Sequence, residues 1–185
     1  MNSAHPSPLS PSAHGTHPTV LVIKRVFHAP LALAWRAWTD RGQLACWWGP
    51  HLFTNTVCEL DVRPGGAWRI VMRTPDGTDL PLRGEYTDVR HQERLAFDMD
   101  ISGLPPAWQS LLDGFRGGPA TDAGNRIAVT VDLSEEDGAT TLVLQQRFHS
   151  AAEREAHVRI GNLQGWGQGL DRLEELLLKG RVRND

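Results

Sequence analysis

SAAEREAHVRIGNLQGWGQGLDRLEELLLKG, residues 150–180, is the stretch on which the fold turns. Ser150 and Glu153 stand three apart, the spacing at which a hydroxyl and a carboxylate each satisfy an unpaired backbone donor at a helix start. Leu163, Trp166, Leu170, Leu173 and Leu177 then recur at intervals of three and four, one apolar stripe along a helix. The pattern predicts a helix from 150 to 179 that stops at Gly180. At ~1.5 Å per residue it would be about 43 Å long, enough to cross a whole sheet. Gly161, Gly165, Gly167 and Gly169 lie inside it, at a cost of ~1 kcal/mol each relative to alanine. Two accounts compensate that cost: close packing on a curved sheet or a kink, or space left beside Trp166 for a ligand.

Upstream the period changes from about 3.6 to 2. Cys58, Leu60 and Val62 share a face, then Trp68, Ile70 and Met72, then a strand from Leu80 to Val89, then Leu95, Phe97, Met99 and Ile101. Ile127 to Leu133 and Leu142 to Phe148 complete six strands. Arg63-Pro64-Gly65-Gly66, Pro75-Asp76-Gly77 and Glu136-Asp137-Gly138 mark turns between them. Gly84 marks a bulge or bend. Such regular turns between alternating runs predict an antiparallel meander. Ahead of it, residues 20–27 read as a strand. Pro30 opens a short helix carrying Leu31, Ala34, Trp35 and Trp38, and a second runs over 40–48 to Gly49-Pro50. Residues 102–125 break the rhythm, yet Trp108, Leu111, Leu112 and Phe115 keep helical spacing within them. Their apolar face predicts a lid helix over 104–116 or a subunit contact.

The chain has 185 residues, enough for one core, and a formal net charge of −3 with both signs interspersed. That distribution offers no basic field for a nucleic acid. Its two cysteines, Cys46 and Cys58, form no CxxC pair or Cys/His cluster, so no disulfide framework and no structural zinc is expected. Residues 1–18, rich in Pro, Ser and His, lack the basic start and apolar run of a secretory signal and read as a disordered tail. His5, His14 and His17 in that tail have no fixed geometry for a selective metal site. No apolar run approaches the ~20 residues of a membrane span. A cytoplasmic protein is the expectation, with residues 19–180 as one domain.

Several short stretches then stand together: Ala29-Pro30 before Leu33-Ala34-Trp35, Trp47-Trp48-Gly49-Pro50, Phe53-Thr54, Arg63 to Trp68, Pro75-Asp76-Gly77, Arg94-Leu95 and Gly165-Trp166. Over roughly residues 20–179 they resemble the START-like, or SRPBCC, superfamily of helix-grip, Bet v 1-like proteins, in the branch named after the activator of the heat-shock-protein-90 ATPase. The resemblance implies an α+β domain whose curved antiparallel sheet of about seven strands wraps a long C-terminal helix. It also implies a deep apolar cavity between the two, used across the superfamily for lipids, polyketides, hormones and other apolar molecules. The eukaryotic chaperone activator has an additional N-terminal domain where this chain has only its tail. The 102–125 segment looks longer than the usual connection.

A small apolar or aromatic molecule is therefore the expected partner, with no cofactor. The candidate binding residues are Trp48, Phe53, Trp68, Met72, Phe97, Met99 and Trp166 as walls, with Arg83, Glu85 and His157 as polar anchors. Each aromatic wall residue reads equally well as ordinary core, and each polar one as a solvated surface group. Two rival functions stay open. One is a cyclase, dehydratase or hydrolase on a polyketide-like substrate, with His157 or Glu85 as acid/base. The other is a co-chaperone-like protein or homodimer using the Trp108–Phe115 face. No nucleophile elbow, phosphate loop or HExxH motif is present.

Overall fold

The computed structural model describes residues 17–182. His5 and His14, and most of the expected N-terminal tail, lie outside the described residues.

Seven strands form one antiparallel sheet: β1 (Val20–Phe27), β2 (Thr54–Leu60), β3 (Ala67–Arg73), β4 (Asp79–Arg90), β5 (Arg94–Asp100), β6 (Arg126–Glu136) and β7 (Ala139–Arg147). The spatial order is β1-β7-β6-β5-β4-β3-β2, so the meander runs in sequence and the first strand joins its last. Alternation set the register: Ile127, Val129, Val131 and Leu133 all face inward with Leu142 and Leu144, each nearly inaccessible. The tight β6–β7 hairpin turns at Asp137 (φ 51°) and Gly138 (φ 73°), two consecutive left-handed residues as a two-residue turn matching strand twist requires.

Gly84 departs from its expected role. The β4–β5 register shifts between Tyr86 and Asp88 instead. At Gly84 the neighbouring strand comes so close that an added Cβ would sit 1.9 Å from the Asp98 carbonyl oxygen. It is a close-approach glycine, not a bulge.

Two short helices, α1 (Leu31–Thr39) and α2 (Arg41–Trp47), follow β1. Asp40 links them, its carboxylate accepting from the Gln43 amide at 2.9 Å as the α2 cap. Between β5 and β6 lies α3 (Pro106–Arg116), inside the expected lid segment. Its apolar residues do not share one fate. Leu112 is buried, whereas Leu111 and Phe115 are 52% and 38% exposed.

The expected single C-terminal helix is two helices. They are α4 (Ala151–Arg159) and α5 (Asn162–Val182), and α5 passes through Gly180 without stopping. Gly161 between them has φ +93°, a left-handed conformation that ends α4 and that side-chain-bearing residues rarely adopt. At 21 residues α5 is about 32 Å long. Ser150 caps α4 by accepting from the Glu153 amide at 3.1 Å. The Glu153 carboxylate does not return the bond. It turns instead to the Arg116 guanidinium, 3.4 Å away.

The remaining α5 glycines answer the packing account in part. A Cβ on Gly165 would lie 3.6 Å from Pro50, and one on Gly169 3.5 Å from the Gly49 carbonyl oxygen, so both face the 47–50 segment closely. Gly167 meets nothing within 4 Å. Its carbonyl accepts from Arg25 of β1 at 3.3 Å, and Arg25 also pairs with Asp171, which fastens α5 to the sheet's first strand.

Candidate ligand cavity

A cavity of about 200 Å³ opens between the sheet, α3, the α4–α5 junction and the Trp48–Phe53 segment. Phe53, Met72, Leu80, Leu82, Met99, Ile101 and Ile127 make its sheet-side wall, and Leu104, Trp108 and Leu112 close one side from α3 and the loop before it. Trp166 and Trp48 stand on the opposite side, with ring centroids 5.1 Å apart and nearly perpendicular. Behind them Trp38 stacks on Trp166 at 6.3 Å and meets Trp47 edge-on at 4.7 Å. These contacts hold the indole walls in fixed orientation, since offset and edge-to-face aromatic pairs are the preferred ones.

The Trp47-Trp48-Gly49-Pro50 wall is clamped from both sides. Arg172 of α5 donates to the carbonyls of Cys46 (2.8 Å), Gly49 (3.0 Å) and Pro50 (2.9 Å), and Asn55 donates to those of Ala45 (2.9 Å) and Trp48 (2.8 Å). These are the carbonyls a helix leaves unpaired at its C-terminus, together with those just beyond. Gly49, at φ +93°, lets the chain pass close to Met72, whose sulfur would be 2.7 Å from an added Cβ. Periodicity could not find Arg172, because its role depends on which loop α5 happens to cover.

Of the ten expected binding residues, Trp48, Phe53, Met72, Met99, His157 and Trp166 line the cavity. Trp68 and Phe97 sit deeper, packed on each other at 5.5 Å with Trp48 above them. The Trp68 indole N–H is used up by the Asp98 carbonyl at 3.1 Å. Arg83 and Glu85 are not in the cavity at all. They alternate with the inward-facing Leu82 and Tyr86 on β4 and so emerge on the outer face, where Arg83 pairs with Asp100 at 3.0 Å. Glu85 and His157 therefore do not meet, and no acid/base pair forms between them.

His157 is 5% exposed, at the last turn of α4, with its ring 4.9 Å from that of Phe148. Burial pushes its pKa down to about 4, and the Arg116 charge adds to the effect. It is a neutral imidazole at pH 7. Arg116, nearly inaccessible, pairs with Glu153 and with Asp113 (3.6 Å), joining α3 to α4. Burial raises the Glu153 pKa, and Arg116 opposes the rise. Among the described residues no group of three or more His, Cys, Asp or Glu could hold a metal ion, and no helix is long and apolar enough to cross a membrane.

Residues 28–178 match the family described as Activator of Hsp90 ATPase homolog 1-like protein. The chain belongs to that family. Its helix-grip fold, of the SRPBCC type, typically binds small hydrophobic ligands. Solved relatives include a Nitrosomonas europaea protein, 25% identical with a TM-score of 0.73, covering 89% of this chain and 97% of its own. An Arthrobacter aurescens protein is 21% identical with a TM-score of 0.74 (92% and 93% covered), and a Mycobacterium smegmatis protein 23% identical with 0.71 (90% and 96%). No curated protein matches the chain.

Proposed function

We propose that this member of the family is a small-molecule binding protein that holds an apolar, aromatic ligand beneath α5, with α3 as a partial lid. One observation carries the reading: a cavity of about 200 Å³ whose walls are Trp48, Phe53, Met72, Met99, Trp108 and Trp166, with polar side chains only at His157 and Asn162. Concave apolar walls with a few orienting polar groups are what small-molecule sites require. Two methionines beside three indoles add adaptable, polarisable surface suited to flat rings.

The catalytic rival is less well supported. A neutral His157 with a pKa near 4 is a weak base at pH 7, and no carboxylate shares the cavity wall with it. An interaction role would rest on Leu111 and Phe115, and two side chains make a small patch.

The test is titration with the neutral fluorescent probe N-phenyl-1-naphthylamine. Wild-type protein should bind it with saturation, and Trp166→Ala should weaken binding roughly ten-fold or more, as loss of a central indole does elsewhere. Unchanged affinity in a folded Trp166→Ala protein overturns the assignment.

A further inference from the structure

The cavity ends at one side chain. A second void, of about 10 Å³, is bordered by Trp38, Leu60, Trp68, Ile70, Tyr86 and Phe97. At that size it is at the lower limit for one water and far too small for a ligand. Among the described residues Trp48 alone lines both spaces. Its ring is 5.1 Å from that of Trp166, which borders only the cavity, and 6.1 Å and 6.5 Å from those of Trp68 and Phe97, which border only the void. The Trp48 indole is the partition between them.

We infer that Trp48 sets the size of ligand the site accepts, so that the bound molecule is compact, of one or two fused rings, and larger ring systems are turned away. This rests on the binding function proposed above and names its specificity-determining residue. An apolar cavity of about 150 Å³ takes benzene. One of about 200 Å³ suits one or two fused rings. The indole is itself a fused two-ring group, so the partition fills about as much space as such a ligand. With a smaller side chain at 48 the cavity and the void run together, and the joined space takes a third ring.

Backbone and ring are held differently at this position. Asn55 donates to the Trp48 carbonyl at 2.8 Å and Arg172 to that of Gly49 at 3.0 Å, which fixes the chain. The Trp48 indole N–H has no hydrogen-bond partner among the described residues, whereas those of Trp47 and Trp68 donate to the Ala37 and Asp98 carbonyls at 2.9 Å and 3.1 Å. Packing alone holds the Trp48 ring. A substitution at 48 therefore moves the boundary of the cavity without stranding a buried acceptor.

Equilibrium dialysis of naphthalene and phenanthrene, which differ by one fused ring and carry no polar group, decides the matter. The readout is the phenanthrene-to-naphthalene affinity ratio. Trp48→Ala should raise it at least about five-fold over wild type, because the third ring then buries apolar area that wild type leaves in water. A merely structural role for Trp48 would weaken both hydrocarbons alike and leave the ratio unchanged. Trp108→Ala removes the same indole from the α3 wall, which borders the cavity only, and should raise the ratio by less. If Trp48→Ala fails to fold, Trp48→Phe, which keeps one ring, should still raise the ratio at least about two-fold. A smaller rise in the folded variant, or a rise from Trp108→Ala as large as that from Trp48→Ala, overturns the assignment and leaves the binding function intact. So does failure of both hydrocarbons where N-phenyl-1-naphthylamine binds wild type. If neither that probe nor either hydrocarbon binds wild type, the binding function falls and the role of Trp48 falls with it.

Discussion

Acidification should unfold this protein partly through one side chain, His157. Its pKa is about 4 when folded, against an ordinary value of 6.5. The unfolded chain therefore takes up the proton first, and stability is lost as pH falls from about 6.5 towards 4. At 1.36 kcal/mol per unit the full loss is about 3 kcal/mol, of which about 2.5 kcal/mol is reached by pH 4.5. Other groups titrate in the same range. Glu153, raised by burial, acts in the opposite sense, because its folded form holds a proton more tightly than the unfolded one. Asp100, held low by its bonds to Ser102 and Arg83 against the effect of burial, acts in the same sense as His157. Arg116 and Asp113 face Glu153 and keep their places in any His157 variant. Comparing wild type with His157→Gln removes these shared contributions. Urea unfolding at pH 7.0 and pH 4.5 should show wild type losing about 2.5 kcal/mol more than the variant, or roughly 5–10 °C in Tm for a domain of this size. Equal losses in the two proteins would refute the reasoning, because an imidazole that charges freely in the folded state is not buried as described.

Gly161→Ala should cost about 1–2 kcal/mol in urea unfolding from backbone conformation alone, since the nearest atom to its new Cβ is the Gln164 oxygen at 3.7 Å; a cost below 0.5 kcal/mol, on the order of an ordinary surface substitution, would show that the break is not enforced there. Arg116→Met strands the Glu153 carboxylate and should destabilise by about 3 kcal/mol, with faster hydrogen exchange across residues 106–116. Unchanged exchange would mean that the Arg116 ion pairs do not hold α3 in place. Arg172→Met removes three short hydrogen bonds from the 46–50 carbonyls and should cost about 2 kcal/mol while weakening N-phenyl-1-naphthylamine binding, because the Trp48 wall loses its clamp. Weakened stability with unchanged probe affinity would separate the clamp from the site.

The strands were legible because each buries one face, so alternation in Ile127 to Leu133 or Trp68 to Met72 reports directly on the inner surface. The same rule, applied to β4, would have put Arg83 and Glu85 outside: Leu80 and Leu82 are the apolar residues, so the odd positions face solvent. Which core aromatics border empty space was not legible. Trp48, Trp68 and Phe97 form one packed cluster, and only the first reaches the cavity, a distinction set by how the helices lie over the sheet. The four glycines of 161–169 look alike in sequence, yet Gly161 ends a helix, Gly165 and Gly169 admit a neighbouring loop, and a Cβ added at Gly167 would meet nothing within 4 Å. A glycine's reason depends on what approaches it, and that belongs to tertiary structure.

The break at Gly161 also interrupts the helical phase between two cavity-lining residues, His157 and Asn162. On an uninterrupted helix, positions 157 and 162 differ by five residues, about 500° of rotation, which leaves them roughly 140° apart around the axis. Two residues so placed do not readily face one cavity. The left-handed turn at Gly161 interrupts that phase, and both residues line the cavity, His157 from the last turn of α4 and Asn162 from the first residue of α5. At the other end of α4, Glu153 forgoes the return bond of its cap and meets Arg116 of α3. The break thus separates the α4 segment that meets α3 from the α5 segment that carries the Leu163–Leu177 stripe, two parts that a single helix from 150 to 179 would have merged.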